Sequence, residues 1–294
     1  MRRPAGQVRS GVARRLEDLE RRVPQWRAWV ALLEEIEAGL DASAGNVTLE
    51  GPPRVADSAP AAPLLDGQTV RVDLEALSEL LARLLKAAGR EAPVHAAARS
   101  LKRYQPGSET VRRLIEAAIC HDEPTMTAAA EADRVDPAAL ATVVRLVAVP
   151  PLATCAARLA GRIPEPWSCG YCPVCGSWPL LAELRGVERE RVLRCGRCGT
   201  AWRAQWLRCT YCGETRHRQL GALGAAEALE SRKAETCVTC RRYLKSIAAL
   251  TPLRHLDLLL TDLETVELDV AAHERGYGRP PASGYRVTCR VAPA

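Results

Sequence analysis

The sequence predicts a multidomain α+β protein in which an all-α N-terminal domain precedes two small metal-binding modules of four cysteines each. Residues 1 to about 160 are rich in Ala, Leu, Arg and Glu and carry apolar residues at helical spacing. Four Cys-x-x-Cys pairs then fall between residues 172 and 240. Because the character of the chain changes near residue 163, we expect a helical domain over 1–163, a first metal module over 164–206 and a second over 207–294 with a helical tail.

The first predicted helix is marked by an apolar stripe. Apolar residues recur at spacings of three and four from Leu16 to Ile36, so one face of this segment should be buried. Pro24 lies within the stripe and is expected to kink or restart the helix. The Ala-, Pro- and Gly-rich segment from Asp41 to Gln68 is expected to be a loop.

Capping residues and prolines place the remaining helices of this half. A short polar side chain before an apolar-periodic run predicts a helix N-terminus, and proline is favoured at the first helical position. The signals are Asp73, Ser108 and Asp136 as N-caps, Pro137 as a first helical residue, and Pro150–Pro151 as a break before a last helix that ends near Gly161.

Compartment and membrane topology follow from the apolar segments. No apolar run follows Arg2 and Arg3, so we expect no export signal. The most apolar stretch, Leu146 to Gly161, contains two prolines and is expected to be too short to span a bilayer. We therefore expect a cytoplasmic protein without a membrane span. Reducing conditions there disfavour structural disulfides, so paired cysteines indicate metal or redox chemistry.

The eight paired cysteines have the spacing of metal ligands. Two residues between cysteines allow both sulfurs to reach one ion, and glycine after the second cysteine can adopt the positive φ that closes such a turn. The segment between the first two pairs suits an antiparallel hairpin. We predict two tetrahedral sites, the first with Cys172, Cys175, Cys195 and Cys198 and the second with Cys209, Cys212, Cys237 and Cys240.

This ligand set limits the chemistry. Sites with four thiolates accept zinc or a single iron by geometry, and they leave no open position for substrate or water. No phosphate-binding glycine loop or nucleophile elbow occurs in the sequence, so no enzymatic activity is predicted. Thioredoxin-like redox chemistry would need one Cys-x-x-Cys at the start of a βαβ helix, and four copies fit it poorly.

The remaining cysteines and histidines are predicted not to bind metal. Cys169 extends the first pair to a C-x-x-C-x-x-C run, but a nearby fourth cysteine of an iron–sulfur motif is absent. Cys120, Cys155, His95 and His121 lack a neighbouring partner at ligand spacing, and a buried or surface role is expected for them. His217 lies near the second set of cysteine pairs, where it is an alternative ligand, but a surface role is expected for it. Cys289 receives no role.

A basic stretch raises nucleic-acid binding as an alternative. The whole chain carries a net charge of +6, and much of the excess lies in the cysteine-rich half. Base stacking would need exposed aromatic residues among the arginines. A solvated arginine face explains the pattern more simply, so nucleic acid is not an expected partner. The residues concerned are Arg189, Arg191, Arg194, Arg197, Arg203 and Arg208, with Trp202, Trp206 and Tyr211 as the aromatics.

From residue 171 onwards the chain resembles the family of the formate dehydrogenase accessory protein FdhE. The resemblance rests on Cys172-Pro-Val-Cys175-Gly-Ser, Cys195-x-x-Cys198 with Trp202, Cys209-x-x-Cys212, Lys233-Ala-Glu-x-Cys237-x-x-Cys240-x-x-Tyr243-Leu-Lys245, Asp262-Leu-x-Thr-Val-x-Leu-Asp269 and Glu274-x-Gly276-Tyr277-x-Arg279. Two positions depart from the family pattern, namely Trp206 in place of an arginine and Arg241 in place of a glycine.

The resemblance implies a function that the residues alone do not. It implies that the modules are rubredoxin-like and hold two metal ions, with iron favoured and zinc an alternative. It also implies a cytoplasmic maturation factor or chaperone that contacts the catalytic subunit of respiratory formate dehydrogenase and is needed for its activity. A zinc-ribbon nucleic-acid binder and a rubredoxin-like redox module remain the alternatives.

Overall fold

The computed structural model describes residues 11–43, 47–51, 62–89 and 96–294. Within these ranges the helices are α1 (Gly11–Arg22), α2 (Arg27–Ser43), α3 (Leu74–Gly89), α4 (Ala96–Leu101), α5 (Ser108–Cys120), α6 (Glu123–Ala132), α7 (Pro137–Val147), α8 (Val149–Leu159), α9 (His255–Glu264) and α10 (Val266–Glu274). The strands are β1 (Val47–Glu50), β2 (Thr69–Val72), β3 (Leu181–Arg185), β4 (Glu190–Arg194), β5 (Ala201–Arg203), β6 (Leu220–Leu223), β7 (Arg232–Cys237), β8 (Arg242–Ala249) and β9 (Arg290–Pro293).

Local sequence signals place most helix boundaries of the N-terminal half. A short 3-10 turn that begins at Pro24 separates α1 from α2, as predicted. The side chains of Asp73 and Asp136 accept hydrogen bonds from backbone amides at 3.0 Å and 2.8 Å, which confirms both as caps. The prediction for Ser108 was wrong by one residue, because the N-cap of α5 is Gly107 and Ser108 already lies in the helix.

The predicted break beside Pro150 and Pro151 is confirmed, because α7 ends at Val147 and α8 begins at Val149. Both prolines lie in the first turn of α8, where proline needs no hydrogen-bond donor, so α7 and α8 run end to end. The continuous apolar segment Pro137–Arg162 has 26 residues and is long enough to cross a membrane by length and composition alone. Its most apolar window is 67% buried inside the structure, as expected for a core helix. The expectation that this segment is too short to span a membrane was therefore wrong, and it is the burial of the segment that argues against a membrane span.

Two strands in the N-terminal half were not predicted. Strand β1 lies inside the segment that was expected to be a loop, and it pairs antiparallel with β2. Strand β2 pairs in parallel with the C-terminal strand β9, with Val70 opposite Val291. Strand β9 is thus held against the helical half, and no local pattern in the sequence predicts this pairing.

The cysteine-rich half is built on one six-stranded sheet with the order β5-β4-β3-β8-β7-β6. The predicted hairpin between the first two cysteine pairs is present as β3 and β4. Its partner, the β7–β8 hairpin, joins it through parallel pairing of β3 with β8, where Glu183 lies opposite Ile247. Helix α10 packs on the second hairpin through Leu268 and Ala272.

The fold class is confirmed as mixed helix and sheet with two four-cysteine clusters after a mainly helical half. One hydrophobic core runs from α2 and α3 through α8 to the first cysteine cluster, where Cys172 and Cys175 are fully buried. Strands of both predicted modules share the sheet, and the boundaries at residues 163 and 206 stay a prediction.

Candidate metal centres

The four Cys-x-x-Cys segments form four turns with the same backbone geometry. In each turn, the amide of the residue after the second cysteine donates a hydrogen bond to the carbonyl of the first cysteine at 2.9–3.0 Å. In three of the turns that residue is a glycine at φ +75 to +76°, namely Gly176, Gly199 and Gly213. A positive φ is strained for most other residues, which explains the glycine after these pairs.

The fourth turn departs from this rule, as the sequence suggested. Arg241 follows Cys240 and adopts φ 57°. Its guanidinium lies 4.5 Å from the ring centroid of Tyr277 and donates a hydrogen bond to the carbonyl of Arg275 at 2.9 Å. These contacts help to offset the cost of a positive φ at a residue with a side chain. The turn therefore keeps its geometry without glycine.

The first cluster consists of Cys172, Cys175, Cys195 and Cys198, whose sulfurs all lie within 4.8 Å of one another. Cys172 Sγ lies 3.5 Å from Cys198 Sγ, and Cys175 Sγ lies 3.5 Å from Cys195 Sγ. Each of the four residues is at most 2% exposed. The donor set is that of a soft tetrahedral ion such as zinc or iron, so the residues fit the metal that the sequence predicts.

The pKa values of the thiols in the first cluster also indicate that a bound cation would stabilise the site. Burial raises the pKa of the Cys172 thiol and of the Cys198 thiol well above the ordinary value. Hydrogen bonds from neighbouring thiols, that of Cys172 first, lower the pKa of Cys175 well below it. Four thiolates in this buried space would repel one another unless a positive ion compensates them.

The second cluster consists of Cys209, Cys212, Cys237 and Cys240, again with all sulfurs within 4.8 Å. The distances from Cys209 Sγ to Cys240 Sγ and from Cys212 Sγ to Cys237 Sγ are both 3.7 Å. Cys212 is exposed and Cys240 is partly exposed. This cluster lies at the surface, whereas the first cluster lies in the core.

Two histidines support the first cluster without belonging to it. His121, in a left-handed conformation at the C-cap of α5, places Nε2 2.9 Å from the carbonyl oxygen of Cys175. His255 at the start of α9 places Nε2 2.8 Å from the carbonyl oxygen of Gly196. Each histidine thus holds one cysteine turn against a helix. The sequence-based prediction gave His121 no ligand role and did not identify His255, since neither contact has a local signal.

The other cysteines and histidines lie outside both clusters within the part of the chain described. Cys155 is fully buried, and burial raises the pKa of its thiol to about 12. Cys169 is partly exposed and outside the first cluster despite its position in the sequence run. His217 lies in a 3-10 turn and is not part of the second cluster. His95 lies outside the described residues. Cys120 lies beside Cys289, a contact that was not predicted.

Several residues that carry the family resemblance form a buried ionic network instead of a metal site. Lys245 on β8 is fully buried, and its Nζ lies 2.6 Å from Asp262 and 2.8 Å from Asp269. Tyr243 donates a hydrogen bond to Asp269 at 2.6 Å. Arg279 lies 2.7 Å from Asp262 and 3.0 Å from Asp269. The network fastens α9, α10 and the following segment to the sheet.

The arginine-rich segment is largely engaged within the protein. Arg191 and Arg194 are buried and paired with Glu235 and Glu183. Arg203 pairs with Glu190, Arg189 with Glu230, and Arg197 donates to the carbonyl of Ala118. The expectation of a solvated arginine face was therefore wrong for the buried pair, since this part of the sheet lies inside the fold. Four of the six arginines are thus paired with a glutamate, which reduces the positive charge available to a phosphate backbone.

Comparisons with known proteins show that the cysteine-rich half is similar to FdhE proteins. The sequence profile of the FdhE C-terminal domain matches residues 207–283. A protein FdhE homolog of Pseudomonas aeruginosa is 34% identical over 125 residues, and one of Aquifex aeolicus is 35% identical over 119 residues. The matched segments span 40% of each relative and 40% and 38% of this chain.

A solved structure extends the likeness to the whole fold. The crystal structure of the FdhE protein from Pseudomonas aeruginosa superimposes with a TM-score of 0.58 at 23% identity and covers 94% of both chains. At this identity the match shows the fold. Together with the sequence matches, it confirms the resemblance to the FdhE family.

Proposed function

We propose that this chain, which carries the C-terminal domain of FdhE, is a metal-bearing accessory factor that a formate dehydrogenase requires for activity. In this proposal the eight clustered cysteines hold two metal ions, and iron is favoured over zinc by the resemblance. The protein catalyses no reaction of its own, acts in the cytoplasm and binds the catalytic subunit of its client.

The observation that carries the metal part is the pair of four-thiol clusters. Each has the donor number and compact arrangement of a closed site. Such a site provides no vacant coordination position, so the ion supplies rigidity or electron transfer instead of substrate activation. The cysteine turns, His121 and His255 hold the sulfurs in place, and this pre-arrangement favours binding of an ion.

The client part is tested by removing the protein from its host. In a strain that lacks it, respiratory formate dehydrogenase activity should fall sharply while the client polypeptide is still made. Activity assays with formate, combined with immunoblots of the catalytic subunit, measure both quantities. Restoration by the intact gene is the control. Normal formate oxidation in the deletion strain would refute the assignment.

A candidate contact surface lies on the segment that joins the two clusters. Trp206 and Leu207 are 45% and 68% exposed, and Arg208 follows them. Leu207 adopts φ 51°, a conformation that few side chains tolerate without a reason. A cavity of about 320 Å³ opens beside these residues and is also lined by Lys233 and Leu244. Exposed tryptophan and arginine next to a recess are typical of binding hot spots.

Trp202, the other tryptophan of the arginine-rich stretch, does not belong to this surface. Trp202 is only 4% exposed and belongs to the main hydrophobic core. Strand β5 alternates the direction of its side chains, and the tryptophan falls on the inner face. Trp206 and Arg208 remain as the candidate anchors.

Replacing Trp206 and Arg208 together by alanine should weaken capture of the client's catalytic subunit at least tenfold, because two anchors of about 1 kcal/mol or more are lost. Pull-down from the host with the tagged variant measures the effect. Trp29→Ala is the matched control, since Trp29 is similarly exposed at 40% but lies on α2, outside the segment that joins the two clusters. Undiminished capture by the folded double variant, with metal content intact, would exclude this surface.

A further inference from the structure

Two cysteines outside the metal clusters lie closer together than the facing pairs inside them. Cys120 Sγ and Cys289 Sγ are 2.8 Å apart, although the residues are separated by 169 positions in the sequence. The facing sulfurs of the clusters are 3.5–3.7 Å apart, a spacing that leaves room for an ion between them. The shorter distance approaches the range of a disulfide of about 2.05 Å.

The backbone on both sides of this pair is already fixed. Cys120 is the last residue of α5, and Cys289 directly precedes β9. The carboxylate of Glu116 accepts a hydrogen bond from the amide of Val291 at 2.8 Å, so α5 and β9 are joined one turn away. On the other side, Asp66 accepts bonds from the amide and hydroxyl of Thr288 at 2.7 Å each. Bond formation therefore needs only a small side-chain shift.

We propose that Cys120 and Cys289 are an oxidation site at which a hydroperoxide forms a reversible disulfide. The bond closes a loop that contains all eight clustered cysteines and locks β9 onto the helical half. This inference concerns thiols that neither cluster uses, and it stands independently of the proposed client function.

The reaction balances with one hydroperoxide per disulfide. The thiolate of Cys120 attacks a peroxide oxygen, an S–O bond forms, the O–O bond breaks, and the leaving oxygen departs as water or an alcohol after taking a proton. Cys289 then attacks the sulfenic sulfur of Cys120, so the S–S bond forms and the S–O bond breaks with release of water. The two thiols together lose two electrons, which the peroxide gains.

The interaction between the two thiols indicates which one reacts first. A hydrogen bond from the Cys289 thiol lowers the pKa of Cys120, although burial opposes the shift. The same hydrogen bond, together with burial, raises the pKa of Cys289. The thiolate form is the nucleophile, which assigns the attack to Cys120 and the resolving step to Cys289. Cys289 is partly exposed, so a small oxidant can reach the pair.

The test is oxidation of metal-loaded protein with stoichiometric hydrogen peroxide, followed by alkylation of free thiols and peptide mapping. We expect a disulfide-linked peptide pair containing Cys120 and Cys289, unchanged metal content, and reversal by dithiothreitol. The oxidised protein should also unfold several degrees higher than the reduced protein, because the bond restricts the unfolded chain. Cys120→Ser and Cys289→Ser should each abolish the link and the thermal shift. Cys169→Ser is the matched control and should retain both.

Three results would overturn the proposal. One is complete alkylation of Cys120 and Cys289 after the peroxide is consumed. Another is a link from either residue to Cys155, or links among the clustered cysteines with loss of metal. The third is an equal thermal shift in Cys120→Ser and the unmodified protein. If a serine variant fails to fold, the peptide map of the unmodified protein still decides.

Discussion

Cys175→Ser should remove one of the two metal ions and unfold the first cluster region. Cys175 is fully buried, and its sulfur faces Cys195 at 3.5 Å. A three-thiolate site binds metal much more weakly, and structural zinc contributes about 10–16 kcal/mol of apparent binding energy in small domains. Since a whole domain is stable by only about 5–15 kcal/mol, loss of this ion should loosen the sheet around β3 and β4.

Elemental analysis of freshly purified protein measures this effect, together with the urea midpoint of unfolding. The unmodified chain should contain close to two ions, of iron or zinc. Cys212→Ser in the exposed second cluster should also remove one ion but cost less stability, because fewer core contacts depend on it. Cys120→Ser should keep both ions. Equal metal loss in Cys120→Ser and Cys175→Ser would show that the ligand assignment is wrong.

Lys245→Met should destabilise the protein by about 3–5 kcal/mol, the cost of removing one partner of a buried ion pair. Lys245 is fully buried and contacts both Asp262 and Asp269 at 2.6–2.8 Å. Without it, the two carboxylates retain only Arg279 as a cationic partner within the network. The docking of α9 and α10 on β8 should weaken before the first cluster is affected.

Urea unfolding at several pH values tests this prediction. Burial works to raise the pKa of Asp269, but hydrogen bonds from Lys245 and Tyr243 outweigh it and lower the pKa below the ordinary value. The folded state is therefore stabilised above pH about 4 and loses this contribution as the pH falls through the lowered pKa. The difference between Lys245→Met and the unmodified protein should shrink in that acidic range.

Lys233→Met on the neighbouring strand is the matched control for this substitution. Lys233 pairs with Ser246 across the sheet and is partly exposed beside the cavity near Trp206. Its replacement should change stability by less than about 1 kcal/mol. An equally large loss in both variants would contradict the role assigned to the buried network.

Features that depend on a few neighbouring residues could be predicted from the sequence. Asp73 and Asp136 mark helix starts because a capping side chain bonds to amides within the next turn. The Cys-x-x-Cys turns could be predicted for the same reason, because their geometry is local. In three of them a glycine follows the second cysteine and indicates the positive φ at that position. The grouping of the eight cysteines into two sets of four follows from such turns and the hairpins between them. Their role as metal ligands stays a prediction.

Features that join distant parts of the chain were decided by tertiary structure. The burial of Trp202, the parallel pairing of β2 with β9 and the contact between Cys120 and Cys289 have no local signal. The same holds for Lys245. Its charge predicts a surface position, but in the folded protein it is paired with two carboxylates, one on α9 and one on α10. Spacing along the chain encodes contacts within a turn or a hairpin. Contacts beyond a turn or a hairpin depend on how the helices and the sheet pack, because only packing brings these side chains within bonding distance.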